Sequence, residues 1–170
     1  MLRFVSTFTN KLDAKGRVSI PAAFRAVLES DSYGSDGVRR QAGEAHSIYC
    51  YPSLAAPALD AGGERLAATI DGLLAGLPDY SDERDELSVA LYGDVHLIAI
   101  DGDGRIVLPE SLRTHAELDR EVTFVGLGQK FQIWSPRRFA ERRAIARDKV
   151  RETRKLLALR RVPGDGEGGN

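Results

Sequence analysis

Asp13 and Arg17 stand four apart around Ala14-Lys15-Gly16, and Asp101 and Arg105 stand four apart around Gly102-Asp103-Gly104. An arginine is planar, permanently charged and able to grip a phosphate or the edge of a guanine at two points. Gly16 and Gly104 let the backbone turn tightly or approach a ligand closely. Lys11, Lys15 and Arg17 fall within seven residues, which makes the first loop a phosphate-attracting tip. Asp13 and its counterpart Asp101 are expected to be structural, since an Asp before a turn accepts backbone N–H bonds or holds the Arg four residues on. Without a ligand, the same residues describe a hairpin turn carrying surface charge. The second loop bears Asp101 and Asp103 where the first bears Asp13 and Lys15, so the two are expected to be unequal toward a polyanion.

Other chemistries fit less well. The apolar run Ile98-Ala-Ile100 leading into Asp101-Gly-Asp103 is the start of a haloacid-dehalogenase-type phosphatase pattern, in which one carboxylate attacks phosphorus and the other moves protons. The position of Asp103 is Lys15 in the first copy, however, and the helices such a sheet requires do not follow. Asp101 to Arg105 also opens like a calcium loop, but Arg takes a position that needs an oxygen ligand. His46, His96 and His115 have no metal-ligand spacing, and neither a metal nor a cofactor is expected. Cys50, the single cysteine, lies in an expected strand and cannot form an intrachain disulfide, in keeping with a reducing compartment.

The elements that position the two loops repeat with them. An apolar run precedes each loop, Phe4–Thr9 and Val95–Ile100. An aliphatic run ending in Pro21 or Pro109 follows, then a short helical pattern at Ala22–Glu29 or Glu110–Glu117, and then a second apolar run, Ile48–Pro52 or Gln132–Pro136. The chain is thus divided into a first repeat at 1–52, a helical connector at 53–92 and a second repeat at 93–136. Leu66, Ile70, Leu73 and Leu74 mark one connector helix, and Ser81-Asp-Glu opens another. Residues 30–46 read as an inserted loop. Ser135-Pro136 starts a basic helix expected over 137–162, and 163–170 is expected to be a disordered tail.

Composition, at 42% hydrophobic and 29% charged, is that of a globular protein, and neither a signal peptide nor an apolar run long enough for a membrane span is evident. A cytoplasmic location is expected. The net charge of −1 hides a strong asymmetry: Arg137 to Arg161 holds eleven Lys or Arg against three Asp or Glu.

Two Asp-x-x-x-Arg loops, each with Gly before the Arg and an aliphatic-Pro ending, together with Val125-Gly-Leu-Gly and Ile133-Trp134, resemble the MraZ family. The resemblance covers about residues 1–140. It implies an α+β fold, mainly strands with helices, in which tandem swapped-hairpin AbrB-like repeats form an intrachain pseudo-dimer. It also implies a nucleoid-associated DNA-binding repressor, not an enzyme. Such a protein would act on direct repeats of short sites in double-stranded promoter DNA upstream of its own division and cell-wall gene cluster, as a ring-shaped homo-oligomer. Carried over by position, the DNA-reading Arg is Arg17, with Lys15 beside it and Arg105 as the second-repeat counterpart; Lys11 joins them as a DNA-contact candidate on charge alone, and Asp13, Gly16, Asp101 and Gly104 are expected to shape the loops. An antitoxin of the same fold group, neutralising a toxin partner, is the alternative, although such proteins usually resemble a single repeat.

Overall fold

The first ladder joins the two repeats to each other. In the computed structural model, which describes residues 2–31 and 47–160, strand β1 (Thr7–Lys11) pairs antiparallel with β7 (Glu121–Gly126), placing Phe8 opposite Phe124. Strand β3 (Ser47–Pro52) pairs in the same sense with β5 (His96–Ala99). β4 (Ala58–Gly62) pairs with β8 (Phe131–Trp134), and β2 (Arg17–Ser19) with β6 (Arg105–Val107). Among the described residues, only the hairpins β3–β4 and β7–β8 close within a repeat. The result is a six-stranded antiparallel sheet in the order β1-β7-β8-β4-β3-β5 and a separate two-stranded ribbon, β2-β6.

Alternation along the strands sends the two sets of side chains to different cores, because successive residues of a strand face opposite sides of the sheet. Ile48, Cys50, Leu59, Ala61, Phe124 and Ile133 meet the ribbon residues Val18 and Ile106, helix α1 (Ala22–Asp31) and helix α4 (Glu110–His115) in the main core. Tyr51 belongs to a second cluster with Leu66, Ile70 and Leu74 of helix α2 (Glu64–Ala75) and with Leu91. Helix α3 (Asp82–Ser88) is capped by the Ser81 hydroxyl, which accepts from the Arg84 amide, and runs into a π-helical turn at Val89–Gly93.

The repeat unit is longer than the sequence pattern indicates. β4 lies inside the stretch read as a purely helical connector, and β7 was not expected. Pairing also revises the internal equivalence: β3 and β7 each add to the other repeat's first strand, so β3 corresponds to β7 and not to the run at Gln132–Pro136, whose counterpart is β4. The shared Pro endings misled because proline ends strands in either place.

The chain divides at Pro136 into two compact units. The second holds all but the first residue of helix α5 (Pro136–Arg160), of which no residue is buried. Most of the inserted loop at 30–46, with His46, and the tail at 163–170 lie outside the described residues, as do the last two residues expected in the basic helix. Among the described residues, no helix is long and apolar enough to cross a membrane.

Candidate functional site

Each loop is built on one carboxylate. Asp13 Oδ1 accepts from the Lys15 amide at 2.9 Å and the Arg17 amide at 2.8 Å, while Oδ2 accepts from Arg17 Nε at 2.7 Å. In the second loop Asp101 Oδ1 accepts from the Asp103 and Arg105 amides, both at 2.9 Å, and Oδ2 from Arg105 Nε at 3.2 Å. The chain closes each turn as well: the Gly16 amide donates to Asp13 O at 3.0 Å and the Gly104 amide to Asp101 O at the same distance. Gly16 and Gly104 sit at φ +83° and +77°, a region that side chains strain to enter. A Cβ on Gly16 would also stand 2.7 Å from the Leu108 carbonyl oxygen.

Each loop is backed by the other repeat. Gly16 O accepts from the Leu108 amide at 2.8 Å, and Gly104 O from the Ile20 amide at 2.9 Å. Arg113 of α4 lies over Gly16 and donates from Nε to Leu108 O at 3.0 Å, whereas Arg25 of α1 lies over Gly104, where its guanidinium would be within 2.5 Å of an added Cβ. Neither arginine was singled out from the sequence. The signal was present: each stands four residues after the proline of its repeat, Pro21 or Pro109.

This backing fixes the arginines on a common surface. In the β2–β6 ribbon Arg17 is opposite Val107 and Arg105 opposite Ser19, with Val18 and Ile106 buried between them. Arg17, Ser19, Arg105 and Val107 therefore share the outward face, and the two arginines stand diagonally across it, about 7–8 Å apart at the backbone. Lys15 is exposed in the first loop; Lys11 is exposed at the end of edge strand β1, opposite Glu121. The ribbon brings Arg17 and Arg105 together, while the lysines remain on the side of the first loop alone.

The two arginines are not equally available. Arg17 is engaged through Nε only, which leaves both terminal nitrogens without a partner among the described residues. Arg105 is engaged through Nε by Asp101 and through Nη2 by Asp103 at 3.2 Å. Both carboxylate oxygens of Asp101 are committed to its turn, the opposite of what a phosphorus-attacking nucleophile needs. Among the described residues, no group of three or more His, Cys, Asp or Glu side chains is placed to hold a metal ion. The Cys50 thiol is buried and its pKa is pushed up by burial and by nearby Asp60, which disfavours the reactive thiolate.

Amide donation from Arg17, followed by its guanidinium, holds the Asp13 carboxyl below the ordinary value of 3.8; Asp101 is held down in the same way, first by the Arg105 amide. A lowered folded-state pKa means that the turn gains stability above the ordinary Asp range and loses it as pH falls through the lowered value. Carboxyl-carbon NMR should therefore give titration midpoints for Asp13 and Asp101 below 3.8. Midpoints at or above that value would show that the turn bonds do not persist in solution.

Comparisons with known proteins match residues 91–156 to the family model described as "MraZ protein, putative antitoxin-like". The chain is 54% identical over 157 residues to "Transcriptional regulator MraZ" of Azorhizobium caulinodans, covering 92% of each chain. It is 51% identical over 160 residues to the regulator of the same name from Xanthobacter autotrophicus, covering 94% of each. With that of Rhizobium meliloti the identity is 37% over 160 residues, covering 94% of this chain and 99% of the relative.

Proposed function

The chain belongs to the MraZ family, and from that premise we propose that it is a DNA-binding transcriptional repressor that reads short repeated sites through the outer face of its β2–β6 ribbon. The observation that carries this reading is the placement of Arg17 and Arg105 on one exposed face of a two-stranded antiparallel ribbon. The major groove of B-form DNA is wide enough to admit such a ribbon, and arginine paired with a guanine edge is its commonest specific contact. Four ladders between repeats support the swapped-hairpin, intrachain pseudo-dimer reading, since each repeat's strands complete the other's sheet. The sites proposed are direct repeats upstream of the chain's own division and cell-wall gene cluster, bound by a ring of subunits associated with the nucleoid.

The proposed roles are consistent with this geometry. Asp13 holds Arg17 at Nε and leaves its terminal nitrogens pointing to a base edge. Lys15 and Lys11 meet phosphates beside it. Arg105 contributes less, because Asp103 occupies one of its terminal nitrogens and repels phosphate.

Arg17→Ala is the test. It should reduce discrimination between operator and scrambled duplex by about 1–3 kcal/mol for each base edge that the guanidinium grips, with the fold unchanged by circular dichroism. Lys15→Ala should weaken both duplexes alike and flatten the salt dependence by about one unit. Arg105→Ala should cost less than Arg17→Ala. Operator binding by Arg17→Ala equal to wild type at matched salt would overturn the assignment, and equal losses for the two arginines would remove the asymmetry.

A further inference from the structure

Helix α5 is a strongly charged element that the ribbon reading does not use. Between Arg137 and Arg160 it carries ten Lys or Arg against Glu141, Asp148 and Glu152, a net of about +7. At 1.5 Å per residue its 25 residues extend for about 37 Å. Some of the charge is neutralised locally: Arg137 and Arg138 approach Glu141 at 3.8 and 3.7 Å, and Arg151 approaches Asp148 at 3.9 Å. Arg142, Arg147, Lys149, Arg154, Lys155 and Arg160 have no carboxylate partner among the described residues.

Helical spacing sorts these charges into rows. Arg143, Arg147, Arg151 and Arg154 follow one another at every third or fourth residue along one flank. Arg138, Arg142, Lys149 and Arg160 lie on the roughly opposite flank. Glu141, Asp148 and Glu152 form a row on one side between the flanks, and Ala146, Val150 and Thr153 lie on the other side. The exposed aliphatic residues Ile145, Val150, Leu156, Leu157 and Leu159 are spread around the helix and make no continuous apolar face, which disfavours a lipid surface or an apolar groove. Two basic flanks fit a groove walled by two phosphate backbones, with the acidic row turned away from it. Eight of the ten cations are arginines, the side chain whose planar fork suits phosphate oxygens.

The charge of the rest of the chain strengthens the case. Residues 1–136 hold thirteen Lys or Arg against twenty Asp or Glu, a net of −7, so the unit bearing the ribbon repels DNA at long range. We propose that α5 is a second, sequence-independent contact to double-stranded DNA, supplying the phosphate attraction that the ribbon unit lacks. The proposal rests on the DNA-binding reading but assigns α5 no part in reading bases.

The full-length triple variant Arg147→Gln, Arg151→Gln and Arg154→Gln tests it against a random-sequence 30-base-pair duplex and the upstream duplex of the chain's own gene. Each phosphate that is no longer neutralised takes about 0.9 from the slope of log affinity against log salt, so the slope should flatten by about 2.7 on both duplexes. Between 50 and 200 mM salt, wild type should then lose about 40-fold more affinity than the variant. The ratio between the duplexes should be unchanged, and replacement of the same three residues by Lys should restore the slope. An unchanged slope in the Gln variant would overturn the proposal. So would loss of self-association in sedimentation without a change in slope, which would assign the helix to the acidic surface of a second copy. Failure of Arg17→Ala to alter discrimination would sink the ribbon reading and leave this one standing.

Discussion

Phe24→Ala is expected to lower the stability of the unit ending at Pro136 by about 3–5 kcal/mol, a large part of the 5–15 kcal/mol that a domain usually has. Phe24 is fully buried and stands at the centre of an aromatic cluster: Phe4 at 5.3 Å and Phe8 at 5.5 Å come from the first repeat, Phe124 at 6.3 Å and Phe131 at 5.1 Å from the second. Phe4, Phe8 and Phe124 each meet the Phe24 ring edge-to-face, the arrangement ring quadrupoles favour. Truncation removes the transfer energy of the ring and leaves a cavity that four neighbouring rings cannot all close. Because the cluster takes side chains from both repeats, neither repeat has a core of its own. Urea unfolding should therefore remain one transition, with its midpoint lowered and its slope unchanged. A cost below about 1 kcal/mol, or separate transitions for the two repeats, would contradict this account of the core.

The sequence displayed those features whose causes are local. The loops were legible because Asp, Gly and Arg at fixed offsets determine a turn by themselves, and the short helices because each follows a proline that suits a first turn. β4 was hidden for the opposite reason. Its sequence, Ala-Leu-Asp-Ala-Gly, has poor strand propensity and a buried carboxylate at its centre. What makes it a strand is distant: Asp60 accepts from Lys130 Nζ at 3.1 Å and from Gln132 Nε2 at 2.8 Å, and Gln132 Oε1 accepts from Trp134 Nε1. The shared face of Arg17 and Arg105 was equally out of reach. It depends on Val18 facing Ile106 across a ladder between repeats, and no local pattern announces that register.

Affinity for an operator reduced to a single repeat is expected to fall by about 10²–10⁴-fold, the factor that tethered sites contribute through effective concentration. One ribbon face presents two arginines, one of them partly occupied by Asp103, and each good base contact is worth about 1–3 kcal/mol. That is too little for the tight binding a regulator needs against a genome of competing sites. If the two repeats close on each other within one chain, as proposed, further association through unlike faces produces a ring or a filament. A ring would set several Arg17 loops on one rim, each addressing one direct repeat. Spacing should then matter as much as number: shifting the repeats by about half a helical turn carries alternate sites to the far side of the duplex and should cost nearly as much as deleting them. Gel shifts with two, one and half-turn-shifted repeats at fixed salt measure both effects, and sedimentation at the same micromolar concentrations should show an assembly well above a dimer. Tight operator binding by a monomer, or equal affinity for all three duplexes, would refute the ring and the avidity argument together.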